Sequence, residues 1–221
     1  MSSASVKIER PKSVSKLVLD QLRREIVEGS FKLGERLSEA MLAERYAVTK
    51  APIRSAYIRL ESEGLVEIRP QSGTYVFKPD HAELRALCEL RIALEIEAGR
   101  MAFERDLAGT TAAISDIVAS MERAQSEGAF ETYQKLDTEL HIMIVSRAQS
   151  PLLAETYRVQ VSSRFEALRF RFAQQSSHAD ASMAEHRALR DAIVENDAPA
   201  FLRLLREHVG KTQNYYADFV E

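Results

Sequence analysis

Apolar positions recur at helical spacing over most of this 221-residue chain, and the exceptions cluster in its first third. Leu17, Leu19, Leu22, Ile26 and Val27 give an apolar face to a helix over Ser15–Glu28, which Gly29 stops. Two short helices follow. Ser38 is placed to cap the first, with Leu37 and Leu42 as its hydrophobic staple; Thr49 is placed to cap the second, with Val48 and Ile53. Pro52 sits in that second helix's first turn, where its missing N–H costs little. Ile53, Ala56, Tyr57 and Leu60 form its buried stripe, and Gly64 ends it. Leu65–Arg69 and Thr74–Phe77 then flank a Pro-Gln-Ser-Gly tip as a two-stranded wing. The pattern predicts a winged helix-turn-helix whose second short helix is built to enter a major groove.

Lys78-Pro79-Asp80 reads as a polar hinge, which places a domain boundary between residues 1–79 and 80–221. Beyond it the period stays helical. Six helices are expected: Ala82–Arg105, Thr110–Ser126, Phe130–Arg147, Pro151–Gln175, Ala181–Glu195 and Ala198–Tyr216. Breaks fall at Ala108-Gly109, Gly128, Gln149-Ser150, Ser176–Asp180 and Asn196-Asp197. The fold class is therefore mainly α, a winged helix-turn-helix followed by an all-α antiparallel bundle with its stripes facing a shared centre.

Composition adds little until it is split. Apolar residues make up 45% and charged residues 29%, as in an ordinary globular protein. No apolar run is long enough for a bilayer, and the polar first residues, expected to be frayed, hold no signal-peptide core. A membrane partner is not expected. The single cysteine, Cys88, cannot form an internal disulfide, which suits a reducing cytoplasm. Net charge is −3, but residues 1–79 carry 14 Lys and Arg against 10 Asp and Glu, a balance of +4. Residues 80–221 carry 16 against 23, a balance of −7. A basic head on an acidic body suits a DNA-binding unit joined to one that avoids DNA.

Arg36, Arg45, Lys50 and Arg54 surround the expected recognition helix. Arg45, Lys50 and Arg54 are the candidates for base edges, while the Ser38 and Thr49 hydroxyls can meet phosphates. Gln71, Ser72, Gly73 and Thr74 at the wing tip can reach a minor groove. Arg59 and Glu63 are spaced as a surface ion pair. One head spans only a short half-site of double-stranded DNA, so useful specificity calls for a dimer. The run GSFKLGERLSEAMLAERYAVTKAPIRSAYIRLESEGLV resembles, nearly position for position, the DNA-binding domain of GntR-type bacterial transcription regulators. The resemblance spans Val14 to Val76. It departs at Thr49-Lys50-Ala51, where that family more often has Ser-Arg-Thr; the hydroxyl and the positive charge are kept. A homodimer on operator DNA is what the resemblance implies.

In the body, Asp137 and His141 are four residues apart and share a helix face. His186 lies with Leu189 and Ile193, and His208 with Phe201, Leu204 and Leu205. Polar groups on apolar stripes are costly to bury without partners. Two readings are open from spacing: core histidines hydrogen-bonded to backbone carbonyls, or one divalent transition metal held by three imidazoles and a carboxylate. Arg91 lies with Leu87, Leu94 and Ala98, and is either an i,i+4 partner of Glu95 or a fork for a carboxylate ligand. Arg164 is a candidate to assist it. His81 and His178 match no motif and are expected to be solvated.

LCELRIALEIEAGRMAFER, DTELH and EHRALRDAIVENDAPAFLRLLREH are similar to the FCD ligand-binding domain of the FadR-like branch of GntR regulators, in its six-helix, VanR-like variant. Ser150 departs from the Asn usual there. The resemblance implies that Asp137, His141, His186 and His208 are metal ligands, with zinc expected first and nickel or manganese as alternatives. It also implies that Arg91, in its ELR-x-x-LE context, binds an acid. The expected function is a ligand-responsive transcription regulator, a repressor modulated by a small organic acid at a metal-containing pocket. A metalloregulator sensing the metal itself is the alternative. A metal-dependent hydrolase fused to a DNA-binding head is a further one, although no H-E-x-x-H motif supplies a general base and no enzyme activity is expected.

Overall fold

The computed structural model describes residues 13–172 and 176–217; expectations for the N-terminal residues and for the end of the helix reaching Gln175 lie outside them. Helix α1 (Val14–Val27) is capped by the Ser13 hydroxyl, which accepts from the Lys16 N–H. Its buried apolar residues are Val18, Leu22, Ile26 and Val27; of the expected face, Leu19 is half-buried and Leu17 points outward at 53% exposure. Gly29 takes a left-handed φ of 75°, so that the Ser30 N–H reaches back to the Glu25 carbonyl and closes the helix end. α2 (Glu39–Arg45) starts at Ser38, whose Oγ accepts from Met41 N–H. α3 (Lys50–Ser62) follows Thr49, which has the extended backbone of an N-cap but makes no capping hydrogen bond. Leu37, Leu42, Ile53, Ala56, Tyr57 and Leu60 are all buried, as the pattern requires.

The wing is β2 (Val66–Arg69) and β3 (Gly73–Val76), antiparallel with Val66 opposite Val76 and Arg69 opposite Gly73. A short strand unseen in the sequence, β1 (Arg36–Leu37), pairs with the other side of β3. Two residues are too few to show alternation, so no period betrayed it. The expected Arg59–Glu63 pair is replaced: Glu63 turns inward and accepts two hydrogen bonds from Arg23 of α1, each 2.7 Å.

The body is helical throughout. α4 (His81–Arg105) opens with a capping box between Asp80 and Glu83. α5 (Leu107–Ser126), α6 (Phe130–Arg147), α7 (Pro151–Tyr157), a π-helical turn (Arg158–Ser162) and α8 (Ser163–Phe172) follow. α9 (Ser176–Val194) and α10 (Ala198–Ala217) complete the described body. α7, the π turn and α8 run on without interruption, so the described body is six rods. α4 lies between α10 and α6, and α5 between α6 and α9. Gly99 permits the closest approach of α4 and α10, since a Cβ there would meet Leu205 at 2.9 Å. One apolar cluster fills the lower bundle, around Ile114, Met121, Ile144, Phe201 and Leu205. The other is continuous from the head into the body: Leu22, Ile53 and Leu65 join Tyr157, Phe165 and Leu168. Among the described residues no helix is long and apolar enough to cross a membrane.

Candidate metal centre and nucleic-acid interface

Three helices bring four ligating side chains together. α6 supplies Asp137 and His141 from one face, α9 supplies His186 and α10 supplies His208; one ligand atom from each lies within 4.8 Å of the others. His141 and His186 are almost wholly buried, and the His208 side chain is 9% exposed. Their Nδ1 atoms point away from the centre, each to a partner. His141 Nδ1 meets Glu95 Oε2 at 2.6 Å, His208 Nδ1 meets Glu185 Oε2 at 2.7 Å, and His186 Nδ1 meets the Tyr133 hydroxyl at 3.3 Å. The Nε2 atoms therefore converge: His208 Nε2 stands 3.3 Å from both His141 Nε2 and His186 Nε2, and His186 Nε2 is 3.1 Å from Asp137 Oδ1.

Electrostatics bears on the two readings of these histidines. A carboxylate on Nδ1 fixes the proton there, leaving Nε2 as an acceptor in both His141 and His208. Two acceptors facing at 3.3 Å satisfy neither; a cation between them satisfies both. Burial drives the His141 pKa down to about 3 despite Glu95, and burial lowers that of His186 as well. Burial opposes ionisation of Asp137, yet Arg169 and His186 outweigh it and hold the carboxyl well below its usual range. Neutral imidazoles and an ionised carboxylate are the metal-binding forms. Spacings near 3 Å are also those of adjacent ligands on one first-row ion, whose metal–nitrogen bonds are about 2.0–2.1 Å. The donor set could hold a divalent transition metal, and the three Nδ1 atoms meet side chains rather than backbone carbonyls.

The centre forms one wall of a cavity of about 130 Å3. Arg91 lines it, 2% exposed, and both its expected roles meet there. Its Nε donates to Glu95 Oε1 at 2.6 Å, its Nη1 points to Thr212 Oγ1 at 3.4 Å, and its guanidinium lies 4.5 Å over the Phe165 ring. The Glu95 pair is thus buried rather than the surface pair considered from spacing. Tyr157 also donates to Glu95 Oε1, at 2.7 Å. Arg164 does not belong to this site. It packs against Gly64 of the head and donates to the Gln160 carbonyl, because α8 turns that face toward α3. Arg169 stands in the cavity instead, with Nε on Asp137 Oδ2 and Nη1 on Thr138 Oγ1 at 2.5 Å. The sequence pattern singles out neither Arg169 nor Glu185. The signal for Arg169 was its place between Phe165 and Leu168 on one side and a run of alternating Phe and Arg on the other. His81 is exposed at the start of α4; the His178 side chain lies outside those described.

In the head, Lys50 and Arg54 are exposed on the first turns of α3, Arg54 with Nε 2.8 Å from Glu39. Arg45 is exposed but leans to Glu25 at 3.1 Å and over Phe31. Arg36 lies on β1 against Gly73, which puts it beside the wing. Ser38 and Thr49 are exposed at the two helix N-termini, and Gln71 and Ser72 are exposed at the wing tip, where Ser72 Oγ is 2.9 Å from the Tyr75 hydroxyl. Gly73, at φ 128°, is half-buried. Thr74 departs from expectation: it is 7% exposed, facing the core between Leu37 and Ile68, and is not available to DNA.

Comparison with known proteins agrees with both halves. Residues 15–76 match the family model described as bacterial regulatory proteins, gntR family, and residues 86–211 match that of the FCD domain. The chain belongs to the GntR family, with an FCD domain. This GntR-type chain is 26% identical over 188 residues to the HTH-type transcriptional repressor RspR of Escherichia coli K12, covering 85% of this chain and 82% of RspR. It is 28% identical over 216 residues to the transcriptional regulator BphR of Paraburkholderia xenovorans, covering 94% and 86%. The fold of E. coli McbR superposes with a TM-score of 0.78 at 21% identity, over 95% of this chain and all of that one. The chain is a transcription regulator of GntR/FCD type, and its relatives are named as transcription regulators.

Proposed function

We propose that this regulator is a cytoplasmic repressor that binds a palindromic operator as a homodimer and changes its DNA affinity when a small organic acid enters the metal-containing cavity. The observation that carries this reading is the convergence of three imidazole Nε2 atoms with Asp137, in a cavity wall that also presents Arg91 and Arg169. Asp137, His141, His186 and His208 would hold the metal, zinc first by donor type, nickel or manganese with the same donors. When bound it supplies a Lewis-acidic position for an acid oxygen. Arg91 and Arg169 supply fork-shaped donors for a carboxylate. Lys50, Arg54, Arg45 and Arg36, with the wing tip, form the DNA-facing set, and two such heads in register would read two half-sites. The repressor sense follows RspR, which is a repressor by name.

The facing acceptors also favour a second reading, in which the metal alone is the signal. The hydrolase reading is less favoured: Asp137, Glu95 and Glu185 are each already paired with an imidazole or a guanidinium. Thermal unfolding of metal-loaded and chelator-stripped protein against a panel of small carboxylic acids separates the readings, because a ligand that binds only the native state raises Tm. A shift for one acid class, in the metal-loaded protein only, is expected. A large shift on adding metal, with none for any acid, would make the metal the signal or a structural element.

A further inference from the structure

A second cavity, of about 210 Å3, lies where the end of α1 meets α6 and α8. Its acceptors are poorly served. Gln134 of α6 is 9% exposed, and its buried Oε1 has no hydrogen-bond partner among the described residues. The nearby Thr138 hydroxyl cannot supply one, since it donates to the Gln134 main-chain carbonyl and accepts from Arg169. An orphaned buried acceptor costs free energy that a donor would recover. Glu166 of α8 is half-buried and makes no hydrogen bond or ion pair among the described residues. Burial pushes its carboxyl pKa up and Glu28 adds to the rise, against the pull of Arg169 and Lys135. The four cations of the wall are better placed. Arg23 is held by Asp20 and Glu63, and Arg169 by Asp137. Arg24 and Lys135 are exposed, so water screens their charge.

We propose that this second cavity binds a primary amine on a short carbon chain, with its ammonium donating to the Glu166 carboxylate and to Gln134 Oε1. An ammonium carries three donors and no acceptor, which is what two unserved acceptors require. A carboxylate there would add acceptors to acceptors, and a neutral alcohol would bring one donor and no charge. Buried Val27 and half-buried Phe170 form the apolar part of the wall and suit a short alkyl chain. Room is sufficient, since an apolar cavity of about 150 Å3 already admits benzene. Glu166 does not line the cavity beside the metal centre, so the site is distinct from that one and does not depend on the acid reading. Its occupant would touch α1 of the head and α6 and α8 of the body together.

The probe is n-butylamine, titrated calorimetrically into zinc-loaded full-length protein, with n-butanol as the uncharged control of equal chain length. Zinc content is measured before and after. Wild type is expected to bind butylamine saturably, to bind butanol at least about tenfold more weakly, and to keep its zinc. Glu166→Gln is expected to lower butylamine affinity by about tenfold or more, the scale of one charged hydrogen bond. Glu166→Asp, which keeps the charge on a shorter arm, is expected to lie between the two and serves if the Gln variant does not fold. Butylamine is also expected to slow amide exchange over residues 24–28 and 166–170 in wild type and not in Glu166→Gln. The proposal is overturned if wild type binds no butylamine, or if butanol binds as well. It is equally overturned if both Glu166 variants bind butylamine like wild type, or if uptake of the amine is matched by loss of zinc, which would put the amine at the metal centre.

Discussion

One carboxylate, that of Glu95, holds much of the centre in place. Its Oε1 accepts from Arg91 and Tyr157, and its Oε2 fixes the proton of His141 on Nδ1. Glu95→Gln should therefore weaken metal affinity by about 10–100-fold, as loss of such partners typically does. It should also cost stability of about 3–5 kcal/mol, since Arg91 is left buried without its counter-ion. Competition against a chromophoric chelator and urea unfolding check the two effects, and an unchanged metal affinity would remove Glu95 from the centre. Acid should destabilise the stripped protein too. His141 titrates near 3 when folded because it is buried, and near 6.5 when unfolded, so below about 6.5 the unfolded chain takes up a proton that the native chain refuses. Stability then falls as pH drops, by about 2 kcal/mol from pH 7 to 5 for this one group. Asp137, depressed by Arg169 and His186, adds loss in the same direction below its unfolded pKa. Urea midpoints of the stripped protein that stay flat from pH 7 to 5 would contradict the buried, neutral His141. The clustering of Asp137, His141, His186 and His208 was legible because helical period and motif place each on an inward face. Glu95 as the His141 partner and Arg169 were not, because each acts across to another helix, which no spacing along the chain reports.

At the scale of elements the chain announces its helices better than their joints. The break expected at Ala108-Gly109 lies inside α5; Asp106 is the true stop, and its carboxylate accepts from the Gly109 N–H at 3.1 Å. Glycine is needed there for room rather than for a turn, since a Cβ would meet the Asp106 carboxylate and Arg147 Nη1 at 2.6 Å. Gly109→Ala should destabilise the protein by about 1–3 kcal/mol as an overpacked site, visible as a lowered urea midpoint. The wing shows a related gap. Alternation identified β2 and β3 but not that β1 would cover the outer edge of β3, so Thr74 looked exposed when it faces the core. Thr74→Ser should leave DNA affinity unchanged. Lys50→Ala should weaken it and flatten its salt dependence by about one phosphate contact, measured by fluorescence anisotropy at several salt concentrations. Equal effects from both would return Thr74 to the interface.

Across the whole molecule, the polar Lys78-Pro79-Asp80 segment reads as a boundary along the chain, and apolar packing crosses it in space. Leu22, Ile53 and Leu65 share a cluster with Tyr157, Phe165 and Leu168, and Arg171 spans 140 residues to reach the Phe31 carbonyl. Such acceptors are backbone atoms, so no residue type marks them in the sequence, and the shared cluster cannot be told from two separate cores by periodicity. The consequence is thermodynamic. Two bodies joined by a hinge would melt in two steps, whereas one apolar cluster shared by both should couple them in one transition. Far-UV circular dichroism and tyrosine fluorescence should then give coincident urea curves. Phe165→Ala, which empties a site 1% exposed in that cluster, should shift both curves together by about 3–5 kcal/mol. It should also weaken DNA binding, although Phe165 lies on α8 in the body. Separate transitions, or a Phe165→Ala head that binds DNA unchanged while the body is destabilised, would mean that head and body are energetically independent and that a signal in the cavity needs another route to the DNA.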